Sequence, residues 1–195
     1  MTTNNANIVT ANEARRALRE QLLNARQQIL ADNKVVLDAS LCESLMKHLY
    51  ALSPKPKCIA LYWPIRGEPD LIPFAHAWLE AGGELVLPMV IEKHAPLKFG
   101  VYTRDTELKL GAYGIPEPDL LRLSAQTPDV VIIPCVGFND ANYRLGYGGG
   151  YYDRTLAAWR DEGASVYSVG VAYGVAHVDF ECGVFDLPLD VILSV

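Results

Sequence analysis

Val130-Val131-Ile132-Ile133-Pro134 is an unbroken apolar run, followed at a short distance by Arg144-Leu145-Gly146-Tyr147-Gly148-Gly149-Gly150-Tyr151-Tyr152-Asp153 and then by the helical pattern Arg154 to Glu162. Apolar side chains on both faces are what a central strand of a parallel sheet requires. A strand that opens into a glycine loop and then a helix brings backbone N–H groups to one point, where they can meet an anion. Arg144 adds a fixed cation, Tyr151 and Tyr152 add flat faces, and Asp153 adds a carboxylate suited to a metal. No Gly-Lys-Ser/Thr follows, so the loop is not a Walker A motif, and Tyr151 stands where a dinucleotide fingerprint has its third glycine.

The pattern repeats outward from this stretch. Cys58 to Trp63 reads as a short buried strand ended by Pro64, and Asp70 is placed to cap a helix running from Leu71 to Gly82-Gly83. Glu84 to Pro88, Leu97 to Tyr102 and Ser165 to Ala172 read as further strands, Val191 to Leu193 as an edge strand, and Leu108 to Asp119 as an irregular loop. Strands alternating with helices predict an α/β three-layer sandwich, a mainly parallel sheet flanked by helices on both faces. One domain over residues 1–195 is expected, with about residues 1–10 as a flexible N-terminus.

Two helices precede the first strand, over Asn12 to Ala31 and Val35 to Leu52. On the first, Arg15, Arg19 and Arg26 fall within a stripe of about 40°, bracketed by leucines, while Glu20, Gln21, Asn24 and Gln28 form the solvated face. Arginines aimed at a core either lie along its edge, pair with acids, or clamp an anion through the guanidinium fork.

A net charge of −6 leaves no broad basic surface for nucleic acid or an anionic membrane, so an anionic ligand needs a local cluster such as this one. The four cysteines lie far apart and the four histidines show no metal spacing, as expected for a reduced, soluble, cytoplasmic protein. Cys135, at a strand end, could be a nucleophile, but no histidine stands in a recognisable partner motif.

In the order of four motifs the chain resembles the 5-formyltetrahydrofolate cyclo-ligase family. The motifs are Arg15 to Arg19 on the first helix, a loop glutamate at Glu68, the loop Arg144 to Asp153, and the pair Asp186 and Asp190 near the C-terminus. The resemblance implies ATP- and Mg²⁺-dependent closure of 5-formyltetrahydrofolate to 5,10-methenyltetrahydrofolate with release of ADP and phosphate; a monomer is expected. It implies that ATP meets Arg15, Arg16, Arg19, Arg144, Leu145, Gly146, Tyr147, Gly148, Gly149, Gly150, Tyr151 and Tyr152. The folate would meet Trp63, Glu68 and the loop Tyr147 to Tyr151, Asp153 and Asp190 would hold the metal, and Arg144, Tyr151 and Arg19 would act in catalysis. The alternative is a relative of the same fold that binds nucleotide or folate without turnover.

Overall fold

The computed structural model traces the backbone of residues 3–195 and describes side chains from Asn12 onward. The flexible start expected at residues 1–10 lies outside the fully described residues. Two long helices, α1 (Thr3–Gln27) and α2 (Ala31–Ala51), lead into strand β1 (Cys58–Ala60). Helix α3 (Ile72–Glu80), β2 (Glu84–Met89) and β3 (Lys98–Tyr102) follow, and then a small hairpin of β4 (Leu108–Leu110) and β5 (Pro116–Pro118). The second half holds β6 (Val130–Pro134), the short pair β7 (Gly137–Phe138) and β8 (Arg144–Leu145), α4 (Tyr151–Asp161), β9 (Tyr167–Ala172) and β10 (Val191–Ser194).

The main sheet has the order β10-β9-β6-β1-β2-β3. Every neighbouring pair is parallel except β2 with β3. Alternation along the strands feeds two cores. Ile59, Leu61, Leu85, Leu87, Val130, Ile132, Val169 and Val171 point to one face, against Leu41, Leu45 and Leu49 of α2 and Phe74, Ala75 and Trp78 of α3. Ala60, Val86, Val131, Ile133 and Ala172 point to the other, against Leu156 of α4. The expected three-layer sandwich is therefore present. Among the described residues no helix is long and apolar enough to cross a membrane.

The chain steps from β1 to β2 in one direction and from β6 to β9 in the other. Right-handed crossovers then place α3 and α4 on opposite faces, and the carboxyl ends of β1 and β6 diverge to leave a crevice at the point where the strand order reverses. Helix α1 closes over this end of the sheet, where Leu22 packs with Val136 and Leu145 and is flanked by Leu18, Leu23, Val178 and Phe180.

The structure corrects the sequence reading in detail. Leu108 to Asp119 is not wholly irregular, because Leu108, Lys109 and Leu110 pair with Pro118, Glu117 and Pro116 as β4 and β5. Proline cannot donate to a ladder, so the central pair Lys109 and Glu117 supplies donors from both strands. Helix α3 begins at Ile72 with Leu71 at its cap position, although the Asp70 carboxylate still accepts the Ile72 N–H at 3.0 Å. Strand β3 runs antiparallel to β2, because a short connection at residues 90–97 joins them as a hairpin rather than through a helix.

Candidate functional site

The inward stripe of α1 meets three separate partners. Arg15 Nη1 donates to Asp186 Oδ2 at 2.6 Å, Arg19 Nε donates to the Gly146 carbonyl at 2.8 Å, and Arg26 Nη2 donates to the Tyr147 hydroxyl at 2.5 Å. Burial lowers the affinity of Arg19 for its proton, neighbouring Arg15 lowers it further, and Asp186 offsets part of this. The group remains a cation at any ordinary pH. Arg16 lies outside the cluster, with its side chain 81 % exposed and its Nε 3.4 Å from Glu20. One residue along the helix from Arg15, it turns by about 100° to the solvent side.

The glycine loop lies beneath these arginines. Arg144 is buried at its start, and its Nη2 lies 3.0 Å from Asp153 Oδ2 in the first turn of α4. Its guanidinium also stands over the Tyr152 ring at 5.7 Å. Leu145 is buried and anchors the loop in the core under α1, so it serves as a foot for the loop. Gly148 and Gly150 adopt φ of 94° and 65°, where an L side chain is strained. Gly150 precedes α4 with no side-chain cap, so the first-turn N–H groups of α4 and the positive end of its dipole face the loop. Arg154 Nη2 donates to the Gly149 carbonyl at 2.6 Å, and the Tyr151 and Tyr113 hydroxyls are 2.8 Å apart.

Glu68, in the loop after β1, is 2 % exposed. One carboxylate oxygen accepts the Ile65 N–H at 2.8 Å and the other accepts the Tyr147 hydroxyl at 2.8 Å. Burial raises its pKa above the ordinary 4.5, while these two hydrogen bonds and the charges of Arg26 and Arg66 pull it back. Tyr147 thus ties the glycine loop to the β1 loop. Trp63 takes another direction, packing edge-on against Tyr102 with ring centroids 6.4 Å apart.

The two expected metal carboxylates differ in their surroundings. Asp153 stands beside the glycine loop, whereas Asp190 Oδ2 accepts the Ser168 N–H at 2.7 Å and the Ser168 hydroxyl at 2.6 Å, near the amino end of β9. The structure does not join them. Among the described residues no three His, Cys, Asp or Glu side chains gather as a metal cage. Asp153 is paired with Arg144 beside the loop, and Asp190 is spent on Ser168. Cys135 does not fit a nucleophile, because burial pushes its thiol up to about 12.

Two positions that matter here escaped the motif reading. Arg26 was legible as part of the inward stripe, but its connection to Tyr147 crosses 121 residues of sequence. Tyr113 gave no signal at all, since its place beside Tyr151 depends on the β4–β5 hairpin.

A model of the 5-formyltetrahydrofolate cyclo-ligase family matches residues 11–194. The chain is 33 % identical over 181 residues to a 5-formyltetrahydrofolate cyclo-ligase of Mycoplasma pneumoniae, covering 91 % of this chain and 96 % of that one. It is 33 % identical over 143 residues to the Escherichia coli K12 protein of the same name, covering 70 % of this chain and 76 % of that one. Among solved structures, it is similar to a 5,10-methenyltetrahydrofolate synthetase from Mycoplasma pneumoniae, with a TM-score of 0.72, 30 % identity, and coverage of 91 % of this chain and 96 % of that one. The Aquifex aeolicus 5,10-methenyltetrahydrofolate synthetase gives a TM-score of 0.73 and 32 % identity over 92 % of this chain and 89 % of that one.

Proposed function

The chain belongs to the 5-formyltetrahydrofolate cyclo-ligase family, and from that premise we propose that it closes 5-formyltetrahydrofolate to 5,10-methenyltetrahydrofolate at the expense of ATP, with Mg²⁺. The observation that carries this is a single loop with two ends. Arg19, Arg144 and Asp153 frame one side of it, while Tyr147 of the same loop touches Glu68.

The formyl oxygen is a poor leaving group as it stands. In the proposed reaction it attacks the γ-phosphorus of ATP and ADP departs. N10 of the folate then adds to the activated formyl carbon, phosphate leaves with the former formyl oxygen, and N10 releases its proton. Such transfer depends on positioning and charge neutralisation more than on a protein nucleophile, which suits a site whose nearby thiol is held protonated. The N–H groups of the glycine loop and the first turn of α4 would hold phosphate oxygens. Arg19 and Arg144 would neutralise charge that develops on the transferring group.

Glu68 would accept N–H groups from the pterin edge, and Tyr151 would lie between the two substrates at the loop's end. Mg²⁺ would supply Lewis acidity at the phosphate oxygens, held from the protein side by Asp153. Asp190 would join it only by leaving Ser168, so its role in this proposal is to fasten β10 to β9. Arg15 supports the Arg19 side through Asp186, and Arg16 is left to solvent.

A non-catalytic binding role finds less support, because the buried Arg144 and Glu68 each keep a charged or hydrogen-bonding partner aimed at the loop. The test is equimolar formation of methenyl product and ADP from 5-formyltetrahydrofolate, ATP and Mg²⁺. ATP and folate binding with no product in a folded preparation would overturn the catalytic proposal.

A further inference from the structure

Arg26 is 7 % exposed, and among the described residues its Nε and Nη1 meet no hydrogen-bond acceptor. Only Nη2 is engaged, by the Tyr147 hydroxyl. A guanidinium carries five donors in a fixed fork, and leaving two of its nitrogens buried without acceptors is costly. A buried guanidinium with two unpaired nitrogens has capacity for an entering acceptor. Glu68 is the acid across the gap, with no ion pair between the two; the Tyr147 hydroxyl stands between them, accepting from Arg26 at 2.5 Å and donating to Glu68 at 2.8 Å. The Tyr147 ring is flanked by Arg26 at 5.8 Å and Arg66 at 5.6 Å, and 37 % of the residue reaches solvent.

An acceptor facing Arg26 beside a donor facing Glu68 is the hydrogen-bonding pattern of a cyclic lactam, whose C=O and N–H sit on adjacent ring atoms. We infer that Arg26 is a specificity-determining residue that donates to the pterin C4 carbonyl while Glu68 accepts from the neighbouring N3–H, the Tyr147 hydroxyl holding this place until the pterin enters. The inference rests on the proposed folate site and extends it to a residue of α1. Tyr147 can yield because its ring is already partly in solvent and is followed by Gly148, whose φ of 94° marks a backbone free of Cβ restraint. Leaving Glu68, Tyr147 would carry the glycine loop with it, so the pterin edge and the phosphate cradle would be set by one motion.

The test compares 5-formyltetrahydrofolate with its 4-amino-4-deoxy analogue, in which an amino donor replaces the C4 acceptor and N3, no longer protonated, becomes an acceptor, so that the contacts at Arg26 and at Glu68 are both altered. The wild type should prefer the carbonyl compound by about 100-fold or more in Kd, the scale of two hydrogen bonds to charged groups. Arg26→Met should reduce that preference by about 10-fold, leaving the part that belongs to Glu68, and should raise the KM for folate more than the KM for ATP. Arg26→Lys, which keeps a cation and a similar stem, should restore part of the preference and guards against a variant that fails to fold. An Arg26→Met protein with the wild-type preference would overturn the assignment, as would equal loss for both ligands, which would point to a contact elsewhere on the folate. A wild type that binds ATP but neither folate would overturn the proposed function together with this inference, whereas a wild type that binds folate while Arg26→Met keeps the full preference would overturn this inference alone.

Discussion

Arg144 and Asp153 face each other at 3.0 Å across the glycine loop, with side chains 5 % and 18 % exposed. The pair closes the loop, because one residue belongs to β8 and the other to the first turn of α4. Its carboxylate serves two purposes in the proposed reaction, neutralising Arg144 and meeting the metal. Asp153→Asn should therefore lower stability by about 3 kcal/mol, the lower end of the range for removing one partner of a buried pair. It should also lower turnover by about 10²-fold. Urea melts and steady-state rates separate the two, and a variant that loses stability but keeps its rate would confine Asp153 to a structural role.

Arg19 differs in that its Nε is spent on the Gly146 carbonyl, leaving the other guanidinium nitrogens for a phosphate. Arg19→Ala should lower kcat/KM for ATP by about 10²-fold, with little change in folate affinity. An equal loss for both substrates would mean that Arg19 acts only by holding the loop.

Gly148 carries a positive φ, and a Cβ there would come within 3.5 Å of the Arg19 guanidinium carbon. Gly148→Val should cost about 1–2 kcal/mol in backbone strain and obstruct the approach of phosphate, lowering ATP affinity at least tenfold while the far-ultraviolet dichroism is preserved. Undiminished ATP binding, measured by calorimetry, would show that the cradle does not hold phosphate.

Glu68 sets a pH dependence. Its pKa is raised above 4.5, chiefly by burial, so on acidification it takes up a proton at a higher pH than an exposed glutamate does. The protonated acid loses acceptor capacity toward the pterin N–H groups. Folate affinity should therefore be full above the raised value and fall as pH drops through it, while ATP affinity changes less over that interval. In Glu68→Gln the acid limb should vanish and the affinity should be low at every pH; persistence of the limb in that variant would assign it to another group.

The parts of the fold that were legible in the sequence are those in which one local signal decides. Val130 to Pro134 read as a buried strand from its apolar run and the proline at its end, and the inward stripe of Arg15, Arg19 and Arg26 followed from helical spacing alone. The β4–β5 hairpin was hidden because Pro116 and Pro118 read as breakers, and their pairing depends on Lys109 and Glu117 across the turn. The link from Arg26 through Tyr147 to Glu68 was hidden for another reason. It joins three segments of chain that only the closure of α1 over the crevice brings together, and no spacing rule spans such distances. Arg16, which the motif also covers, is turned by the helix to the solvent side, with its side chain 81 % exposed.

The most direct test of the proposed phosphoryl transfer is to follow the formyl oxygen itself. With 5-formyltetrahydrofolate labelled with oxygen-18 in the formyl group, ATP and Mg²⁺, the inorganic phosphate released should carry one labelled oxygen for each methenyl product formed. Unlabelled phosphate alongside that product would contradict activation of the formyl oxygen in this site.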